Sequence, residues 1–233
     1  GWGVGYLGNG ATNAVFPITI VALALCLMIG DGGAAYLSLK LGEGDIDSAK
    51  RGVGNAIVMV VAVSIVLAAV FLIFIEPILN LFGATDALWD YALQYGTIIG
   101  FGLPFMMIPG AINSMIRADG SPKYAMLSMA LGAVINTILD PVFIFIFHMG
   151  VQGAAIATVI GQVATFIMAV TYLFRFKTFR IDCTAFVLKA KTCATVLSLG
   201  ISSFITQFAI TIVMALTNNL LAQYGAQSVY GAD

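Results

Sequence analysis

The chain has 233 residues, of which 61% are hydrophobic and 9% charged, with a formal net charge of −1. Soluble domains are roughly 45–50% apolar and about 25% charged, and a single core of this size could not bury so much apolar surface. The composition therefore excludes a water-soluble globular protein, and the near-neutral charge gives no indication of a nucleic-acid partner. The expected partner of most of the surface is the lipid bilayer.

Six stretches are long and apolar enough to cross a bilayer, which takes about 20 mostly apolar residues. We predict an all-α integral membrane bundle with a glycine-rich loop over residues 1–12 before its first span and a tail over residues 224–233 after its last. The six spans are Asn13–Leu39, Gly54–Leu79, Tyr91–Met115, Tyr124–Phe147, Val151–Phe174 and Cys193–Gln223.

The first span contains an acid, Asp31, flanked by Gly30 and Gly32. It lies about 13 Å along the helix from Lys40. An ionisable side chain inside a span costs roughly 2.5–3.5 kcal/mol and indicates a functional position. Two interpretations stay open: Asp31 lines a solvated vestibule, or it hydrogen-bonds a neighbouring helix.

Polar amides also occur in the third and sixth spans, at Asn113 and Gln207. Hydrogen bonding between helices is the simpler explanation for each, and a position along a solvated path is the alternative. Pro104 and Pro109 predict kinks in the third span, because proline removes a backbone donor.

The fourth and fifth spans contain the strongest candidate site. Asp140 lies eight residues before His148, about 12 Å below the end of its helix, and Asn136 shares its face one turn earlier. The next helix returns after a very short connection, so Thr158 reaches a similar depth. A carboxylate, an amide and a hydroxyl suit a small cation, or Asp140 alone carries a proton. The structural alternative is an acid that caps a helix kinked at Pro141.

All ten basic residues fall in or beside the first, third and fifth connections, including a linker over residues 175–192. By the positive-inside rule these connections are cytoplasmic. Both ends of the chain are then expected on the extracellular side of the cell membrane. The ten basic residues are Lys40, Lys50, Arg51, Arg117, Lys123, Arg175, Lys177, Arg180, Lys189 and Lys191.

Five motifs together resemble the multidrug and toxic compound extrusion (MATE) family. They are GDGGAAYLS at 30–38, LGEGD at 41–45, IRADGSP at 116–122, NTILDP at 136–141 and MGVQGAAIAT at 149–158. Their order and spacing also match, and the likeness covers essentially the whole chain.

The resemblance implies a twelve-helix transporter of two six-helix lobes, of which this chain covers helices two to seven: residues 13–174 in the first lobe and 193–223 in the second. It implies export of cationic amphipathic drugs or metabolites in exchange for Na⁺ or H⁺, with no other cofactor. It also places Asp140, Asn136 and Thr158 at the family's cation site. That site takes a further acid from a first helix, which the chain lacks together with most of the second lobe.

Three other functions compete with antiport. A flippase for lipid-linked precursors would share the fold, but such cavities need several basic residues, and no Lys or Arg lies deep in a span. An enzyme is disfavoured, since the sequence contains neither HExxH nor GxSxG. A channel is disfavoured because no filter-like segment or charged ring is visible.

Overall fold

The structure, a computed structural model, describes residues 5–81, 89–180 and 183–230; side chains at 5–11, 13–14, 81, 183, 214–215 and 218–230 are excepted. Six of its helices are long and apolar enough to cross a membrane, and the described residues contain no strand, which confirms the predicted all-α bundle. The helices are α1 (Gly5–Gly42), α2 (Ile46–Ile73), α3 (Ile75–Leu81), α4 (Trp89–Ala118), α5 (Pro122–Pro141), α6 (Gly150–Leu173) and α7 (Ala190–Tyr230).

Several predicted boundaries are wrong, including the start of the second span, which is Ile46 and not Gly54. Helix α1 already begins at Gly5, where a loop through residue 12 was expected, because glycine does not break a helix whose backbone has no water to bond with. Helix α7 continues to Tyr230, through most of the predicted tail. The second span breaks at Phe74, since the ring of Pro77 conflicts with the carbonyl four residues earlier. Residues 1–4 and 231–233 lie outside the described part of the chain.

The core lies where α1, α2 and α4 pack together. Helix α4 has the largest buried share of the six spans and α5 the smallest. Glycine at positions 96 and 100 lets α4 approach the large side chain of Phe71 on α2. Fully buried core side chains include Ile29, Leu37, Phe71, Leu103, Met107 and Met115.

Helices α1 and α7 meet backbone to backbone. A Cβ added to Gly32 would lie 2.1 Å from the Val196 carbonyl oxygen, and one added to Gly200 would lie 1.7 Å from the Met28 carbonyl oxygen. Only glycine permits this distance between helices, as in other membrane bundles. The contact fixes where α7 crosses α1.

The segment before α7 is held to α2 by one buried amide, Asn55. Its Nδ2 donates to the carbonyl oxygens of Ala185 and Val187, at 3.2 and 3.1 Å, and its Oδ1 accepts from the Lys189 backbone N–H at 2.7 Å. Gly54 permits the approach, because a Cβ there would lie 2.2 Å from the Ala185 carbonyl oxygen. The predicted linker is therefore attached to the first five spans.

Candidate functional site

The connection between α5 and α6 is as short as predicted. After Pro141, the position of the kink considered from the sequence, the α-helix gives way to a π-helical turn, Val142–Ile146. His148 and Gly150 then adopt positive φ angles of 54° and 55° and reverse the chain. The two helices run back along each other from this turn.

Two glycines set the distance between α5 and α6. A Cβ on Gly132 would lie 2.7 Å from the Gly161 carbonyl oxygen, and one on Gly161 would lie 2.6 Å from the Gly132 carbonyl oxygen. Asn136 is one turn beyond Gly132, and its Cβ is 3.1 Å from the position of the Cβ that Gly161 lacks. The close crossing therefore brings the side chain of Asn136 against α6.

The structure places the three predicted site residues together. The Asn136 Nδ2 donates to Asp140 Oδ1 at 3.4 Å along α5, and to Thr158 Oγ1 at 3.3 Å across to α6. The Thr158 hydroxyl donates its proton to the Ala154 carbonyl oxygen at 2.9 Å, so its oxygen acts as an acceptor toward the amide. All three side chains are partly exposed.

Helix α4 borders this group. Gln152 at the start of α6 donates to the side-chain oxygen of Gln94 on α4 at 2.8 Å. Deeper between the same helices, Gln162 has a buried Oε1 without a hydrogen-bond partner in the described chain. Polar side chains of α4 thus face α6, the helix that carries Thr158.

Asp31 lies apart from the trio and hydrogen-bonds a neighbouring helix, one of its two predicted roles. Its Oδ1 accepts from the Ser114 hydroxyl at 2.7 Å, and the Arg117 guanidinium lies 3.8 Å away while donating to the same hydroxyl at 2.9 Å. Sequence reasoning placed Arg117 in a loop and missed this contact. The periodicity of one helix does not report which residue of another helix it faces.

Asn113 and Gln207 are also separate from the trio. Asn113 is fully buried and accepts from the Ser128 hydroxyl at 2.9 Å, so it bonds α4 to α5 as the simpler interpretation predicted. Its Nδ2 has no hydrogen-bond partner among the described residues. Gln207 lines a small, mainly apolar cavity of about 150 Å³ between α1 and α7, with Phe16 and Met106.

Asp119 is the polar residue that sequence reasoning passed over, although it lies in one of the quoted motifs. It is 5% exposed and accepts hydrogen bonds from the Tyr172 hydroxyl at 2.7 Å and from the backbone N–H groups of Lys177 and Thr178 at 2.8 and 3.2 Å. The Thr178 hydroxyl donates to it as well. The signal was an acid directly after a helix end that precedes Gly120, a glycine with φ of 76°.

Comparison with known proteins gives multidrug resistance and export proteins, and also an FAD transporter of Shewanella oneidensis that is 30% identical over 162 residues. The chain is 29% identical over 167 residues to the probable multidrug resistance protein YoeA of Bacillus subtilis, covering 70% of this chain and 36% of that protein. It is 26% identical over 235 residues to the multidrug export protein MepA of Staphylococcus haemolyticus, covering 97% of this chain and 51% of MepA. The chain thus spans about half the length of the MepA proteins it matches.

Solved structures give the same result. The chain matches an outward-facing multidrug resistance MATE transporter with a TM-score of 0.86 at 25% identity, covering 94% of this chain and 49% of that one. It matches an inward-facing MATE transporter with a TM-score of 0.79 at 27% identity, covering 91% and 49%. Each match corresponds to about half of a transporter.

The fold class follows from these matches: the six spans correspond to half of a larger helical membrane transporter. The family model named MatE matches residues 4–142, which is more than half of the chain. Members of that family are transporters and not enzymes. The chain therefore belongs to the MatE family of multidrug and toxic compound extrusion transporters.

Proposed function

We propose that the full-length protein exports cationic, amphipathic small molecules across the plasma membrane in exchange for inward Na⁺ or H⁺. The observation that carries the proposal is the position of the Asn136 amide, which contacts Asp140 on its own helix and Thr158 on the next. Carboxylate, carbonyl and hydroxyl oxygens are the ligands that small hard cations prefer. Of the candidate residues, these three form the cation site.

The Asn136 amide offers a way to respond to either ion. Its nitrogen now donates to Thr158 and Asp140, at 3.3 and 3.4 Å. Rotation of the amide by 180° exchanges its nitrogen and oxygen, since both have similar size. Its oxygen then joins the other two around Na⁺, or accepts a hydrogen bond from a protonated Asp140. Both ions would act through the same side chain.

The relatives support a transport cycle with two access states. The matched structures include an outward-facing and an inward-facing MATE transporter, and an ion that binds one state better shifts the equilibrium between them. The names of YoeA and MepA support a multidrug substrate class. No relative named here favours the flippase alternative.

The proposal also covers the parts of the transporter outside this chain, and the orientation of the chain in the membrane. A helix before residue 1 would supply a second acid to the partly exposed trio, and the second lobe would complete the substrate path with Gln207. By the positive-inside rule the end that carries Lys50, Arg51 and Arg175 faces the cytoplasm, which puts the start of the chain outside.

The test is ethidium transport by the full-length protein in proteoliposomes, with a Na⁺ gradient and a pH gradient imposed separately. Asp140→Asn is expected to abolish transport driven by the coupling ion. Thr158→Val removes one oxygen at nearly constant shape and is expected to weaken the apparent affinity for that ion about fivefold, the equivalent of about 1 kcal/mol. Thr158→Ser keeps the hydroxyl and should keep the wild-type apparent affinity for that ion.

Asp47→Asn is the matched control, because Asp47 lies in the exposed first turn of α2. It loses the same charge at the other end of the bundle and should transport like the wild type. Full coupled transport by Asp140→Asn would exclude the proposed role of this acid. Ethidium transport that responds to neither gradient would exclude cation-coupled antiport altogether.

A further inference from the structure

A cavity of about 520 Å³ lies at the basic end of the bundle, between the start of α5, the end of α6 and the segment that follows. Its volume is within the usual range for ligand sites. The lining includes three cationic side chains, Lys123, Arg175 and Lys177, and the aromatic rings of Tyr124 and Tyr172. The proposed transport cycle uses none of these groups.

Asp119 connects the segments that line this cavity. Its hydrogen bonds to the backbone of Lys177 and Thr178 hold the segment after α6 against the start of α5. Lys177 Nζ additionally donates to the Gly120 carbonyl oxygen at 3.3 Å. One buried acid beside three cations leaves the cavity with a net positive charge.

Two of the cations have no acidic partner. Lys123 and Arg175 are exposed, and neither side chain has an ion pair or a hydrogen bond within the described chain. Lys40, by contrast, is paired with Glu43 at 2.6 Å. A guanidinium group presents parallel N–H donors that match the oxygens of a phosphate. Cations around a cavity whose described lining residues include no acid favour an anionic ligand of this kind.

The surface beside the cavity is apolar. Phe174, next to Arg175, is 86% exposed, and Met126 and Leu127, one turn beyond Lys123 on α5, are 64% and 57% exposed. Basic residues at a helix end followed by exposed apolar residues are the arrangement found at the level of lipid headgroups. A phosphate in the cavity would have its hydrocarbon chains against this surface.

We infer that the cavity formed by Lys123, Arg175 and Lys177 binds the phosphate of an anionic phospholipid in the leaflet at the basic end of the bundle. The chemistry shared with inorganic phosphate is the phosphate group, and the adjoining apolar surface selects the lipid. The inference does not depend on the transported substrate or the coupling ion.

Native mass spectrometry of the full-length protein in neutral detergent tests this inference. Phosphatidylglycerol, phosphatidylcholine and inorganic phosphate are titrated separately, and retained adducts are counted. The cavity variant combines Lys123→Gln, Arg175→Gln and Lys177→Gln. The matched control combines Arg180→Gln, Lys189→Gln and Lys191→Gln, which removes the same charge on the same side outside the cavity.

Each basic residue near an anionic surface is worth about 1 kcal/mol, so the cavity variant should bind phosphatidylglycerol about 100-fold more weakly than the wild type. The control should differ from the wild type less than threefold, and phosphatidylcholine should bind weakly to all three proteins. An equal loss in both triple variants would overturn the site, since general surface attraction would then explain binding.

The inorganic phosphate arm decides the source of the anion. Millimolar phosphate should not displace phosphatidylglycerol, and displacement would overturn the assignment to a lipid. A single variant, Lys123→Arg, keeps the charge and should retain binding within threefold. It provides a folded comparison if the triple variant is unstable, and its failure to bind would contradict a charge-based site.

Discussion

Asn55 should hold the segment before α7 against α2, and its replacement by alanine tests this directly. The side chain is fully buried and makes three hydrogen bonds to the backbone of residues 185, 187 and 189. Asn55→Ala removes all three and leaves two carbonyls and one N–H without their partners. Each lost bond costs about 1 kcal/mol, or about 3 kcal/mol in total.

The expected effect is local opening of the segment. A loss of about 3 kcal/mol raises the population of the opened segment about 100-fold, since each 1.4 kcal/mol is a factor of ten. Hydrogen exchange of the full-length protein in detergent measures this population peptide by peptide. Amides in residues 183–193 should exchange about 100-fold faster in Asn55→Ala, whereas those in the buried half of α4 should keep their rates.

Two further variants test whether the hydrogen bonds of Asn55 hold the segment. Asn55→Asp keeps the shape and the acceptor for Lys189, but it turns a carboxylate oxygen toward two carbonyl oxygens, so it should open the segment at least as much. Thr195→Ala is the control, because the exposed Thr195 hydroxyl bonds only within α7. Unchanged exchange over residues 183–193 in Asn55→Ala would refute the reasoning. A uniform increase over the whole protein would also refute it, since it would indicate global destabilisation.

Two other substitutions have expected outcomes. Gly200→Ala should lower the melting temperature of the full-length protein by about 5 °C, since overpacking costs about 1–3 kcal/mol. Gly42→Ala is the control, because a Cβ there has open space and should leave the melting temperature unchanged. Equal melting temperatures of the two variants would contradict the close α1–α7 contact. Asp119→Asn weakens charge-assisted bonds by about 2 kcal/mol and should accelerate hydrogen exchange over residues 175–178 about 30-fold. Asp47→Asn serves as its control, and equal rates in the two variants would count against the role of Asp119.

The sequence predicts the fold well because the bilayer imposes one dominant constraint. Apolar length sets the six spans, and all six recur in the structure. The errors occur at helix ends, where that constraint is absent. Helix α2 begins at Ile46, so its first turns include charged residues that precede the apolar stretch. Pro77 divides the helix within a segment that hydropathy treats as one span.

The proximity of the trio could be predicted because Asp140 and Thr158 flank a short turn, so equal distance along two helices fixes equal depth. No such relation connects Asn55 to Ala185, which lies 130 residues away. The contact between Asp31 and Arg117 likewise depends on how α1 and α4 are rotated against each other. Rotation follows from the packing of the whole core, and the pattern of one helix does not determine it.

The contacts of α7 have a mechanical consequence. Lys189, the residue before it, is bound to α2 through Asn55. Farther along α7, Gly200 packs directly against the backbone of α1. Two points of attachment along one rod prevent it from swinging at its base. If the full-length protein moves one lobe against the other, these contacts predict that α7 bends beyond Gly200 and not at its base.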